Sequence, residues 1–254
     1  MINKNINKKN IVCIIPARLK STRFPEKILT NLAGKPLLQW AWDAANKTTL
    51  FKEIYFAIDS EKTAKLIDSF GGKYIFTSES CQSGTDRLVE IIHSGKVEAD
   101  IWVNWQGDEP FITPNMLHSL LETCDHEQAD MWTLKKRILL PEQISSPNIA
   151  KVVTDSNGYA LYFSRSTIPY YRDKDENIEQ VYYKHVGIYA YTANALRKIA
   201  QLGKCYLEDA EKLEQLRLLY YGFKIKLNET DQEVIGIDTP QDLARAQEYA
   251  KQLI

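Results

Sequence analysis

The chain has 254 residues, 44% hydrophobic and 26% charged, with a formal net charge of −1. These are values of an ordinary soluble globular protein, and the near-neutral balance argues against wholesale binding of nucleic acid. No stretch approaches the roughly 20 apolar residues of a membrane span, and four scattered cysteines without a CxxC pair argue against a zinc site or a disulfide framework.

In chain order, residues 1–10 read as a polar tail rich in Asn and Lys. The apolar run that follows, Ile11-Val12-Cys13-Ile14-Ile15, is too short for a signal-peptide core and ends at Pro16, so the expectation is a first buried strand of a cytoplasmic protein. Strands are predicted again at Ile54-Tyr55-Phe56-Ala57-Ile58 and Ile101-Trp102-Val103-Asn104-Trp105. Helical patterns fall at 37–45, 61–70, 85–93 and 114–124. This alternation predicts a mostly parallel sheet with helices on both faces.

The second half changes character. Strands are predicted over 149–154, 160–163, 185–191 and 224–227, with Asn157-Gly158 as a hairpin turn. A polar stretch over 169–183 reads as an exposed loop, and one helix is predicted over 207–221. The last helix has Thr239 as N-cap, Pro240 at its first position and Asp242 in its first turn. No linker divides the chain, so the expectation is a single domain over 11–254 with a β-rich excursion near 130–195.

Four constellations bear on chemistry. Past the first strand runs Pro16-Ala17-Arg18-Leu19-Lys20-Ser21-Thr22-Arg23-Phe24-Pro25-Glu26-Lys27, a cationic loop at a strand's C-terminal end, where open α/β sheets place ligands. Arginine forks and lysine point charges there suit a polyphosphate. Neither GxGxxG nor GxxxxGK[ST] occurs, so phosphate must be held by side-chain cations rather than by a P-loop. The second constellation is Gln106-Gly107-Asp108-Glu109-Pro110, after the third strand. It suits a β-turn, and equally a magnesium carboxylate, Asp108, facing the phosphates. The third is Asp238 before the Thr239-Pro240 helix start, either a turn residue or a second magnesium ligand. The fourth, Gln82-Ser83-Gly84-Thr85, offers backbone N–H groups to a ligand or a plain helix cap.

With these in place, the chain closely resembles the bacterial 3-deoxy-manno-octulosonate (Kdo) cytidylyltransferases, also called CMP-Kdo synthetases. Further motifs carry the resemblance: Ala160-Leu161-Tyr162-Phe163-Ser164-Arg165, His185-Val186-Gly187-Ile188-Tyr189, Leu213-Glu214-Gln215-Leu216-Arg217 and Asp238-Thr239-Pro240. It implies a three-layer, Rossmann-like α/β fold of the nucleotide-diphospho-sugar-transferase type, with a mostly parallel mixed sheet. It implies CTP and a 3-deoxy-octulosonate sugar acid as substrates, CMP-Kdo and pyrophosphate as products, Mg²⁺ as cofactor and a homodimer built through the β-rich excursion. Arg18 and Lys27, helped by Arg23, would bind the CTP phosphates beside Pro16 and Ala17. Gln82, Ser83 and Gly84 would border the cytosine and ribose, and Asp108 and Asp238 would hold magnesium. Gln106, which would also serve the nucleotide, would line the sugar-acid pocket with Arg165, His185, Tyr189, Glu214 and Gln215.

Neither nucleic acid nor a membrane is implied as a partner. An 8-amino-8-deoxy sugar is the nearest alternative acceptor. A sialic-type acid is a more distant one, and a non-catalytic sugar-nucleotide sensor is the reading from a different class. One departure stands out. Glu26 lies where the family has glycine, and its carboxylate either faces Lys27 or turns outward.

Overall fold

The computed structural model describes residues 9–21, 24–173 and 179–252. In chain order the elements are β1 (Ile11–Ala17), a 3₁₀ turn (Lys27–Leu29), β2 (Asn31–Leu32), β3 (Lys35–Pro36), α1 (Leu37–Asn46), β4 (Glu53–Ile58), α2 (Glu61–Asp68), β5 (Tyr74–Phe76), α3 (Gly84–Ser94), β6 (Ile101–Asn104) and α4 (Pro114–Leu121). There follow β7 (Met131–Arg137), α5 (Pro141–Ser145), β8 (Lys151–Thr154), β9 (Ala160–Ser164), β10 (Tyr183–Thr192), α6 (Ala193–Ile199), α7 (Tyr206–Glu211), α8 (Gln215–Tyr220), β11 (Ile225–Glu229) and α9 (Pro240–Ala250). The chain divides into two compact units, Met1–His118 with Glu233–Ile254, and Ser119–Gln232.

In the first unit β1 is buried at every position, as a strand covered on both faces must be. It pairs in parallel with β4 on one side and β6 on the other, and β4 pairs in parallel with β5. The registers Ala17↔Ile58 and Ile14↔Asn104 bring the C-terminal ends of β1, β4 and β6 to one edge. Arg18, Asp59 and the loop from Gln106 all leave from that edge. The helices start where local chemistry dictates. Ser83 and Asp86 form a reciprocal capping box on α3, and Thr239 and Asp242 form another on α9, with Pro240 at the start. Leu32, Leu37, Phe111, Ile237, Ala246 and Ala250 form one buried cluster. This packing fixes α9, and therefore Asp238, against the segment that carries Asp108.

The second unit is mixed. β7 pairs in parallel with β11 and antiparallel with β10; β8 pairs antiparallel with β9 and β10. Gly158 takes φ 79° in the predicted β8–β9 turn. The expected α/β class with a mostly parallel mixed sheet is therefore observed, and the β-rich excursion expected over 130–195 falls inside this unit.

Several elements depart from expectation. β2, β3, β5 and β7 form where no strand was predicted, and α5 and α6 where no helix was. β7 starts with four buried residues and ends in three cations, so neither alternation nor a bounded apolar run announces it. The helix expected over 207–221 is broken in two. Lys212 adopts the left-handed conformation at φ 53°, donating its N–H to the Glu208 carbonyl at 2.7 Å, and a new helix begins at Gln215.

Candidate active site

In the first unit, the strand-end edge gathers the cationic loop and both candidate metal carboxylates. Lys27 opens the 3₁₀ turn, and its Nζ lies 2.5 Å from Oδ2 of Asp108 and 2.8 Å from Oδ1 of Asp238. One ammonium thus bridges two carboxylates. Burial opposes its charge, but the Asp108 and Asp238 carboxylates outweigh that and hold its pKa above the ordinary lysine value. Asp108 and Asp238 are also tied through the backbone, the N–H of Ile237 donating to the Asp108 carbonyl at 2.9 Å. Beside them, burial and then the neighbouring charges of Asp108 and Asp238 push the Glu109 carboxyl up to about 8, and its Oε2 is a buried atom without a hydrogen-bond partner.

The close approach at this edge requires glycine. A Cβ on Gly107 would meet the Pro16 carbonyl oxygen at 2.9 Å, and one on Gly84 would meet Gln106 Nε2 at 2.9 Å and Pro16 Cγ at 3.1 Å. Pro16 and Gln106 therefore both lie against Gly84. Gln106 also donates from Nε2 to Asn104 Oδ1 at 3.0 Å.

The cap around Ser83 is already committed. Asp86 Oδ2 accepts from the N–H groups of Gln82 and Ser83, each at 3.0 Å, while the Ser83 hydroxyl accepts from the Asp86 N–H. Of the two readings of this motif, the helix cap is present, and those two N–H groups are occupied by it. Arg18 is exposed, with Nη1 3.4 Å from the Gln82 carbonyl. Glu26 turns outward to pair with Lys62 at 2.8 Å, and it sits at φ 53° in the region glycine enters freely. Arg23 lies outside the described residues.

The sequence reading missed one structural anchor here. Asp59, just past β4, accepts from the Leu19 N–H at 2.9 Å and pairs with Arg87 of α3 at 2.7 Å, with the two side chains 7% and 2% exposed. Arg87 also donates to Thr77 Oγ1 at 2.5 Å. This buried pair ties the root of the cationic loop to the helix of the Ser83 cap. Removing one partner would leave the other charge buried, a loss of about 3–5 kcal/mol.

In the second unit, His185 of β10 lies between aromatic rings, its centroid 5.1 Å from Phe163 and 5.5 Å from Tyr189. Gln215, at the start of α8 and 4% exposed, approaches its Nδ1 with Nε2 at 3.4 Å. His185, Tyr189 and Gln215 thus converge, and Glu214 immediately precedes the same helix. The break at Lys212 is what turns Gln215 toward the ring.

Arg165 follows β9, and its guanidinium is spread over backbone carbonyls: Nε to Glu211 at 2.6 Å, Nη1 to Pro147 at 2.8 Å and Nη2 to Lys212 at 3.4 Å. It braces the helix break. Lys151 does likewise for the neighbouring loops, donating from Nζ to the carbonyls of Ser146, Ile149 and Arg165. Sequence reasoning missed Lys151, because a lysine in a strand reads as solvent-facing.

Burial pushes the His185 pKa down to about 3. The ring is neutral in the folded chain, whereas the unfolded chain protonates it near pH 6.5. The unfolded state thus binds more protons below that value, and stability falls as pH drops through 6.5 toward 3. Urea unfolding at pH 7 and pH 5 is expected to show His185→Asn losing about 2 kcal/mol less than the wild type over that interval. Equal losses would mean that His185 titrates normally in the fold.

Among the described residues, no helix is long and apolar enough to cross a membrane. The cytidylyltransferase family model matches residues 12–226. The 3-deoxy-manno-octulosonate cytidylyltransferase of Trichlorobacter lovleyi is 44% identical over 251 residues, covering 95% of this chain and 99% of that protein. A solved CMP:2-keto-3-deoxy-manno-octonic acid synthetase complexed with CTP matches with a TM-score of 0.90 at 40% identity, covering 96% of this chain and 100% of that one. The 4-diphosphocytidyl-2C-methyl-D-erythritol synthase of Anaerococcus prevotii shares the fold at a TM-score of 0.63 and 13% identity, covering 96% of this chain and 99% of that one. The chain is a nucleotidyltransferase and belongs to the 3-deoxy-manno-octulosonate cytidylyltransferase family.

Proposed function

We propose that the chain makes CMP-Kdo and pyrophosphate from CTP and 3-deoxy-manno-octulosonate, supplying an activated sugar acid for lipopolysaccharide synthesis in the cytoplasm. The observation that carries this reading is the Asp108–Lys27–Asp238 cluster at the C-terminal edge of the parallel strands. In the reaction, the anomeric hydroxyl oxygen of the sugar forms a bond to the α-phosphorus with loss of its proton. The bond from that phosphorus to the β-phosphate oxygen breaks, and pyrophosphate leaves. Such a transfer depends on positioning and charge neutralisation and needs no protein nucleophile.

Arg18 and Lys27 would take the phosphates, with Arg23 assisting. Gln82, Ser83 and Gly84 would border the nucleoside, with the cap at Ser83 keeping that loop in place. The donor set fits Mg²⁺: two carboxylates from distant segments converge on one cationic position, and magnesium commonly takes only one or two protein carboxylates. Asp108 and Asp238 would hold the ion, and when bound it would lower the pKa of the attacking hydroxyl and offset charge on the phosphates. Lys27, which occupies the space between the carboxylates, would then be free to turn to a phosphate.

Tyr189, Glu214 and Gln215 of the second unit would contact the sugar acid. His185 is neutral and would meet it through hydrogen bonds rather than charge, which leaves Arg165 as the cationic partner for its carboxylate. A homodimer is part of the proposal, supported by the exposed apolar side chains Leu139, Leu140, Leu161 and Tyr170 in the second unit; a monomer in sedimentation equilibrium at micromolar concentration would argue against it.

The function is tested by initial rates of pyrophosphate release with Kdo and each of the four ribonucleoside triphosphates. Release confined to CTP and dependent on the sugar supports the reading. Release from CTP without sugar refutes it.

A further inference from the structure

β10 carries an irregularity between Val186 and Tyr189, where its register against β7 shifts. The side chain of Thr133, buried in β7, fills this irregularity. Its Oγ1 lies 3.0 Å from the Val186 carbonyl and 2.8 Å from the Ile188 carbonyl. The same oxygen lies 3.0 Å from Nε2 of His185. These three neighbours determine the proton positions. A carbonyl only accepts, so the single hydroxyl proton of Thr133 is directed to Val186 and Ile188. Only oxygen lone pairs remain for the imidazole, and Nε2 must donate to them.

The buried ring is neutral and carries one proton, which is now assigned to Nε2. Nδ1 is therefore an acceptor, and the group facing it is the Gln215 amide nitrogen, a donor. A chain of three hydrogen bonds thus runs from the strand irregularity through the ring to the amide. Because the nitrogen of that amide faces the ring, Oε1 is turned away from it. An inverted amide would set two acceptors against each other.

We propose that Thr133 is a positioning residue for the sugar acid: it sets the tautomer of His185 and, through the ring, turns the Gln215 carbonyl oxygen toward a ligand hydroxyl. The inference rests on the reading of His185 and Gln215 as parts of the sugar-acid pocket. It concerns a side chain that touches neither substrate, acting as a ligand's outer hydrogen-bond partner does at a metal site.

The test combines ¹⁵N NMR of the His185 ring with steady-state kinetics of wild type, Thr133→Val and Thr133→Ser. Valine keeps the shape and removes the hydroxyl; serine restores it. The expected wild-type spectrum shows one neutral tautomer protonated at Nε2. Thr133→Val should lose that preference and raise the sugar-acid KM at least about tenfold. Its CTP KM should stay within about twofold of wild type. Thr133→Ser should recover both the tautomer and the KM. A wild-type ring protonated at Nδ1 overturns the inference without any variant, so the test survives a valine variant that fails to fold. A folded Thr133→Val with unchanged sugar-acid KM overturns it as well. A wild-type ring protonated at Nε2 with no turnover of any sugar acid would overturn the substrate reading, and the inference with it.

Discussion

Asp108→Asn is expected to lower turnover at least about a thousandfold with the fold retained, and Asp238→Asn to do the same. Asparagine preserves the shape of each side chain and one oxygen, so what is lost is the negative charge and the second strong donor. Each carboxylate already lies within 2.8 Å of a cation, and the two approach it from segments 130 residues apart, since Lys27 is separated from them by 81 and 211 positions. A thousandfold loss corresponds to about 4 kcal/mol of transition-state stabilisation, in the range a lost metal ligand supplies. The effect on stability should be small by comparison. The Asp108 and Asp238 side chains are 28% and 45% exposed, and ion pairs that open to water contribute about 0–1 kcal/mol. Pyrophosphate-release rates measured beside thermal unfolding curves separate the two quantities. Near-normal rates in both variants would remove these residues from any metal-holding role.

Lys27→Met should show a double effect. Loss of the ammonium would remove the proposed phosphate ligand, so kcat/KM for CTP is expected to fall at least about a thousandfold. The same substitution removes the cation that lies between the two carboxylates. A divalent cation should then bind the free chain more tightly than it binds wild type, where Lys27 competes for the same position. Thermal shift with magnesium and no nucleotide reads this directly: the variant should gain more stability from the ion than the wild type does. A variant whose kcat/KM stays within about tenfold of wild type would contradict the assignment. One that gains no more from magnesium would contradict the competition.

Much of the first unit is legible in the sequence because its signals are local. Ile11-Val12-Cys13-Ile14-Ile15 reads as a strand buried on both faces, and β1 is one. Thr239-Pro240 with Asp242 announces a capped helix, and the stretch from Gln82 to Thr85 offers a second cap, which the structure forms at Ser83 with Asp86. What joins these pieces is not local. Nothing near Lys27 states that its ammonium ends between Asp108 and Asp238; that follows from strand order and from α9 packing beside Phe111 and Leu37. The resemblance to a family supplied those roles, and the packing shows how the chain achieves the convergence.

The second unit is less legible, for three physical reasons. The helix break at Lys212 uses a lysine in the left-handed region, where glycine is the usual signal, and it is braced from a distance by the Arg165 guanidinium. Lys151 is buried because three carbonyls surround its ammonium, an arrangement that side-chain polarity alone argues against. Thr133 is an ordinary strand residue by propensity, and its role exists only because β10 shifts register opposite it. Glu26 shows the converse. The departure from the family's glycine is visible in the sequence, but the direction of its carboxylate is settled by Lys62.

This chain joins a cytidylyl group to a Kdo-type sugar acid. The most direct measurement is pyrophosphate release from CTP and magnesium with Kdo, 8-amino-8-deoxy-Kdo and N-acetylneuraminate offered in parallel, beside no-sugar and no-metal controls. Release is expected with Kdo or its amino analogue, and none with N-acetylneuraminate or in either control. Absence of release with all three sugar acids, from a preparation that demonstrably binds CTP, would contradict this activity and favour a sugar-nucleotide sensor on the same fold.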